Sequence, residues 1–217
     1  MGGLAIRIGT AERSARPRET APDFRDLLGE AAWVDLPAAV RARFEPCAHR
    51  QARAYPGAMQ VRCSWAGWLI AQVCRLAGTP IAPGRGRDVP VTVTVRPAAD
   101  GSLLWERLYA FAGRKPVRVT SRKLIGSDGA LLEVAPGGIA MRLALSVEDS
   151  ALVFRSTGYG LKIGRRLLPL PSLLTPGVAR AVHRDEGGGR FFFGMTFVHP
   201  LLGETFSHAG YFQDPQP

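Results

Sequence analysis

Val89-Pro90-Val91-Thr92-Val93-Thr94-Val95-Arg96 is the stretch that decides the fold. Four valines alternate with Pro, Thr, Thr and Arg, so one face is β-branched and apolar while the other is mostly polar. That period of two predicts a half-buried strand. Turn chemistry then recurs along the chain. Asp100-Gly101 leads into an apolar run at 103–111, and Ser127-Asp128-Gly129 separates 117–125 from 130–135. Glu148-Asp149-Ser150 separates 139–147 from 151–159, and Gly187-Gly188-Gly189 lies between 178–183 and 190–198, with 204–212 beyond. Nine or ten strands joined by such short turns cannot be parallel, because a parallel crossover needs about a dozen residues. A meander this long must also manage its edges, which closure or strong curling achieves. The reading is therefore α+β, mainly antiparallel β: a meander curled into a lipocalin-like, calycin-like barrel or half-barrel.

Working upstream, the period becomes helical. Residues 62–77 place Ala66, Leu69, Ile70, Val73, Leu76 and Ala77 on one stripe, with Gly78 and Pro80 as the stop, which predicts a helix covering the barrel. Phe24, Leu27, Leu28 and Ala31 suggest one short helix, and Asp35-Leu36-Pro37 starts another over 38–44. Residues 49–55 read as a first strand. Residues 1–21 lack periodicity and read as a flexible leader, leaving 22–213 as one barrel-like domain. Residues 160–177, rich in Leu, Gly and Pro, read as a long apolar loop and a candidate lid.

The 217 residues are 46% hydrophobic and 21% charged, a globular composition. The net charge is +10, and Lys occurs only at 115, 123 and 162, so the excess is carried by Arg. It is spread along the chain with no dense basic arm, which argues against a nucleic-acid partner. Cys47, Cys63 and Cys74 have neither disulfide-framework nor zinc spacing. No stretch is apolar for long enough to cross a bilayer as a helix, and the expected location is cytoplasmic.

Phosphate-cradling loops, His-Glu-x-x-His and nucleophile elbows are absent from the sequence, and no cofactor is expected. What remains is polar residues on apolar strand faces. Arg107 shares a face with Leu103, Trp105, Tyr109 and Phe111, and Glu133 alternates with Leu131 and Ala135. Facing inward, the two would pair and orient a polar group of a ligand; facing outward, they are a solvated ion pair. His208 shares a face with Phe206 and Phe212, and His199 with Phe191, Phe193, Met195 and Phe197. Either could be a general base or a histidine held by a backbone carbonyl. Ser121 and Lys123 stand two apart on one strand, the spacing of a nucleophile with its base but also routine strand spacing. His183, Asp185 and Glu186 lead into a glycine turn, where a solvated surface is the plainer reading than a metal site. Trp105, Tyr109, Tyr159, Phe193 and Phe197 are the aromatic candidates for lining a ligand cavity, and simple core is the alternative.

The order of several short pieces resembles a known bacterial family. They are Phe24-Arg25-Asp26-Leu27-Leu28-Gly29, Leu36-Pro37-Ala38-Ala39-Val40-Arg41, residues 68–78, Asp88-Val89-Pro90-Val91-Thr92-Val93 and Leu104-Trp105-Glu106-Arg107. Residues 129–133, Leu168-Pro169-Leu170-Pro171 and His199-Pro200-Leu201-Leu202-Gly203 continue the series, and together they are similar to domain of unknown function 4166 over about residues 22–213. The resemblance implies an accessory role beside a separate Rossmann-type oxidoreductase, to which that family is often fused, and it carries over no catalytic residue. The Arg-rich stretch 114–123 departs from the pattern.

These readings predict a protein that binds an apolar small molecule (lipid, polyketide or isoprenoid) in a barrel pocket of about 300–1,000 Å³. A cofactor-independent cyclase or isomerase would use the same pocket, with Arg107, Glu133 or His208 supplying a proton or a fixed charge. A non-catalytic domain docking on the oxidoreductase is the third reading.

Overall fold

The valine strand is one stave of a closed barrel. In this computed structural model, described for residues 20–46, 51–76, 82 and 84–215, the strands are β1 (Arg53–Cys63), β2 (Gly86–Pro97), β3 (Leu103–Tyr109), β4 (Val117–Ile125), β5 (Leu131–Val134) and β6 (Ile139–Glu148). They continue as β7 (Ala151–Ile163), β8 (Arg166–Leu170), β9 (Val178–Gly187), β10 (Arg190–His199) and β11 (Gly203–Gln213). Each strand from β1 to β7 pairs antiparallel with the next, β7 pairs with β9, and β9, β10 and β11 lead back to β1. Ten strands thus form a closed antiparallel barrel, so the half-barrel alternative is excluded. Closure removes the free edges that a long meander would otherwise expose.

β8 stands outside that ring. The first part of β7, Leu152 to Arg155, pairs with β9, whereas Tyr159 to Ile163 pair with β8 on the same edge. The β7–β8 hairpin lies over the outer wall, where Leu167 packs against a cluster of Leu124, Leu132, Val134 and Ala140. The expected long loop over 160–177 is therefore mostly hairpin. Only a 3-10 turn, Ser172–Leu174, and its flanks remain irregular.

The inward faces follow the alternation: Val89, Val91 and Val95 of β2 are buried while Pro90, Thr92 and Arg96 face outward. The β6–β7 turn gets its geometry without glycine, since Asp149 and Ser150 both hold positive φ, the pattern of a type I′ hairpin. The first strand expected over 49–55 runs instead from Arg53 to Cys63, because Pro56 and Gly57 interrupt its strand propensity. The β11 ladder begins at Gly57, so Pro56 has no donor to supply there, and a Cβ on Gly57 would meet the Phe212 ring at 2.5 Å. Residues 47–50 lie outside the described part.

One end of the barrel is closed by three short helices: α1 (Phe24–Leu28), α2 (Glu30–Val34) and α3 (Ala38–Phe44). Asp23 caps α1 through its side chain, and Gly29, at φ 78°, splits what the spacing reads as one helix into α1 and α2. Phe24 and Phe44 meet edge to face at 5.2 Å and both pack on Phe154. Arg43 of α3 clamps this plug, donating to both carboxylate oxygens of Asp214 at 2.7 and 2.8 Å and to Asp185 at 2.9 Å.

The opposite end carries α4 (Trp65–Leu76), and here the expected orientation fails. The helix turns its small residues inward: Ala66, Gly67, Ala71 and Cys74 are buried, whereas Trp65, Trp68, Leu69 and Val73 face outward. The cause is close approach. A Cβ on Gly67 would lie 1.8 Å from the Thr205 carbonyl oxygen, so only the small face can sit against β11. The stop signals Gly78 and Pro80 fall outside the described residues.

Candidate functional site

The barrel interior is divided by a polar layer. Arg107 on β3, Ser121 and Lys123 on β4 and Glu133 on β5 all point inward, because each has the parity of its strand's apolar inner residues. Ser121 Oγ donates to Glu133 Oε1 at 2.6 Å, and Lys123 Nζ donates to Oε2 at 2.9 Å. Arg107 donates to Ser121 Oγ at 3.3 Å and lies 3.5 Å from Glu133 Oε1. Lys123 Nζ also sits 4.4 Å from the Trp105 ring centroid, a cation–π contact.

Above this layer, toward α4, the interior opens into a cavity of 90 Å³. Its walls are Val119, Ile139, Met141, Tyr159, Met195, Phe197 and Phe206, and its roof is Cys74 with Leu170, Leu174, Thr175 and Pro176. Arg107, Tyr109, Ser121, Glu133 and His208 supply the polar groups. Below the layer, toward α3, smaller spaces of 40 and 20 Å³ lie among Phe44, Trp105, His183 and Phe193. The main cavity is smaller than the ~300–1,000 Å³ expected of a pocket enclosing a whole drug-sized ligand. It has room for several waters, each needing about 10–15 Å³ of such space, or for one end of a larger molecule.

Burial and charge set the protonation states. Burial pushes the Glu133 carboxyl up, but the charges of Lys123 and Arg107 and the hydrogen bonds from Ser121 and Lys123 outweigh it and bring it down to about 2. Burial, aided by the nearby Arg107 charge, lowers Lys123 against the opposing pull of Glu133. Two basic side chains thus share one carboxylate. Tyr109 Oη lies 2.9 Å from His208 Nδ1. Burial raises Tyr109 to about 12, and burial with the Arg107 charge lowers His208 to about 3, so near pH 7 both are neutral. His208 Nε2 is buried with no hydrogen-bond partner. In a neutral imidazole one nitrogen donates and the other accepts, so Nε2 offers the cavity whichever role Nδ1 does not take with Tyr109.

The family described as Domain of unknown function (DUF4166) matches residues 36–212. The chain belongs to the DUF4166 family. No curated protein matches it. A solved structure of a candidate thioesterase II from Thermobifida fusca YX is similar at 9% identity over 77% of this chain and 80% of that one. With a TM-score of 0.21 it carries no argument about fold or activity.

In this DUF4166 chain the residues singled out from sequence fall in three places. Arg107, Glu133, His208, Tyr109, Tyr159 and Phe197 line the main cavity, whereas Trp105 and Phe193 line the smaller spaces below the polar layer. His199 is structural: its Nδ1 accepts from the Leu201 and Leu202 amides, and its Nε2 lies 3.4 Å from the Leu173 carbonyl oxygen. His183 corrects the solvated reading, being buried between Phe44 and Phe191 and pushed by burial, then by the Arg43 charge, down to about 3. Its neighbour Asp185 is spent on Arg43. Among the described residues no group of His, Cys, Asp and Glu could hold a metal ion. No helix there is long and apolar enough to cross a membrane. Sequence reading undervalued Lys123 and Ser121. Their parity with Val117, Val119 and Ile125 was the available signal, and Glu133 completes the set from the next strand.

Proposed function

We propose that the barrel binds a mainly apolar small molecule whose one polar end, a carbonyl or carboxylate oxygen, is taken by Arg107 and His208 at the bottom of the main cavity. The observation carrying this reading is the pairing of an apolar-walled cavity with buried donors that are in excess. Lys123 and Arg107 share a single carboxylate, and His208 Nε2, a donor when Tyr109 Oη donates to Nδ1, has no partner. An unpartnered buried polar group costs about 1–3 kcal/mol, which an incoming acceptor relieves. The cavity takes the polar end, and the apolar remainder extends toward the roof, where Cys74 and Leu174 stand.

Binding is better supported than acid–base turnover. A carboxyl held near 2 by a lysine and an arginine is a weak base at neutral pH, and a histidine lowered to about 3 is not a proton donor there. The cyclase or isomerase reading would need Tyr109 or a ligand-induced shift to supply the proton.

Decanoic acid, methyl decanoate and decane test the reading by titration calorimetry. The acid or ester binds and decane of equal chain length binds at least about 10-fold more weakly, as expected for one hydrogen bond to a charged donor. His208→Ala and Arg107→Gln, checked for fold by circular dichroism, narrow that difference. Equal affinity for all three, or no binding of any, rejects the proposal.

A further inference from the structure

α4 turns an apolar face outward. Trp65 is 70% exposed and Val73 68%, with Trp68 and Leu69 half exposed beside them. The loops at the same barrel end continue the patch. Leu174, at 76%, projects from the 3-10 turn and Leu201, at 75%, from the β10–β11 turn. These elements are tied together: Ser64, at the start of α4, donates to the Thr205 carbonyl oxygen, Thr205 Oγ1 donates to that of Pro176, and His199 links Leu173 to Leu201. Large apolar patches on a folded surface mark interaction sites.

Its border is basic. Arg85 and Arg114 line a surface groove with Trp65 and Trp68, and the adjoining groove holds Arg62, Arg85 and Arg87 against one carboxylate, Glu204, so cations are in excess. The sequence has no Asp or Glu between Glu45 and Asp88, and Arg62, Arg85 and Arg87 of that interval stand at this end of the barrel. Protruding tryptophans and leucines with an arginine border suit a lipid–water boundary, where aromatic rings sit at headgroup level and cations meet anionic lipid. Two facing copies would bring the arginine borders together, which opposes a self-paired dimer. The apolar tips belong to a convex helix and two turns, so they need no complementary groove in a partner.

We infer that this end of the barrel, Trp65, Trp68, Leu69 and Val73 of α4 with Leu174 and Leu201, docks on the surface of a membrane containing anionic phospholipid, with Arg62, Arg85 and Arg114 meeting the headgroups. The inference stands apart from what the cavity holds, although Cys74 and Leu174 also roof that cavity, so a docked barrel turns its roof to the lipid.

Vesicle flotation of the full chain tests it, using phosphatidylcholine alone and with 30% phosphatidylglycerol (an anionic fraction of about one third, chosen to give a surface potential). The chain floats with the mixed vesicles, and tryptophan emission shifts to the blue through Trp65 and Trp68. Binding weakens as salt rises from about 0.05 to 0.5 M, because the Debye length shrinks. Arg85→Gln with Arg114→Gln lowers partitioning on the order of 30-fold, and Trp65→Ala with Trp68→Ala abolishes the blue shift. Arg190→Gln, at the other end of β10, leaves both unchanged. No flotation with the mixed vesicles at low salt overturns the inference, as does flotation that both double variants retain. Self-association that the tryptophan variants abolish, without vesicle binding, assigns the face to a second copy instead.

Discussion

The two ends of the barrel are built by opposite rules. At the α1–α3 end, large aromatic rings turn inward, Phe24 and Phe44 are almost wholly buried, and Arg43 locks the helices to the wall by three charge-assisted hydrogen bonds. At the α4 end, small residues turn inward and the large ones outward, which leaves the 90 Å³ cavity beneath and an apolar patch above. The same ten-stranded wall thus has one end filled by side chains and one that keeps a roofed cavity. The lesson is that helix content at a barrel mouth does not decide how much space lies beneath it; the size of the inward side chains does.

Substitutions can break this contrast. The largest effect is expected from Glu133→Gln in the layer between the two ends, which leaves Lys123 and Arg107 buried without their carboxylate. Denaturant unfolding should show a loss of about 3–5 kcal/mol, much of it recovered by adding Lys123→Met. Phe44→Ala, at the filled end, should cost about 3–5 kcal/mol in the same measurement without changing ligand binding. A change confined to ligand affinity would contradict the division.

Acidification comes next. His183 and His208 both have folded values near 3, below the unfolded ~6.5, so the unfolded chain binds more protons between those limits. Their contribution is present above pH ~6.5 and declines as the pH falls toward 3, by about 1.4 kcal/mol per pH unit for each histidine. Glu133, lowered to about 2, adds a loss only as the pH drops from about 4.5 toward 2. Melting temperature against pH in the wild type and in His183→Gln checks the slope, and a flat curve from pH 7 to 5 would contradict the buried neutral state. The smallest effect belongs to Leu174→Ala at the α4 end, within about 0.5 kcal/mol, as for other surface changes.

The wall was legible in the sequence because strand parity survives folding: Val89 to Val95, Arg107 and Glu133 all face where alternation puts them. Alternation could also have placed Lys123 inside, but a lone buried lysine looks prohibitive until Glu133 and Trp105 are seen around it. α4 was legible as a helix but not in its orientation. Apolar residues occur on more than one of its faces, and the Gly67 contact with Thr205, remote in sequence, decides which packs. The size of the cavity had no signal in the chain, since it depends on how side chains from nine or more separated segments fill a shared space.

The divided edge of β7 gives the barrel a seam. Between Arg155, the last residue paired with β9, and Tyr159, the first paired with β8, the ladder is interrupted. Side chains bridge the gap: Ser156 Oγ accepts from the Ala179 amide, and Tyr159 donates to the Gly177 carbonyl oxygen. Such a junction can part without unzipping a strand, so its opening free energy lies below that of the surrounding staves. It borders Thr175 and Pro176 of the cavity roof, and amide exchange beginning there would mark the route by which the interior communicates with solvent.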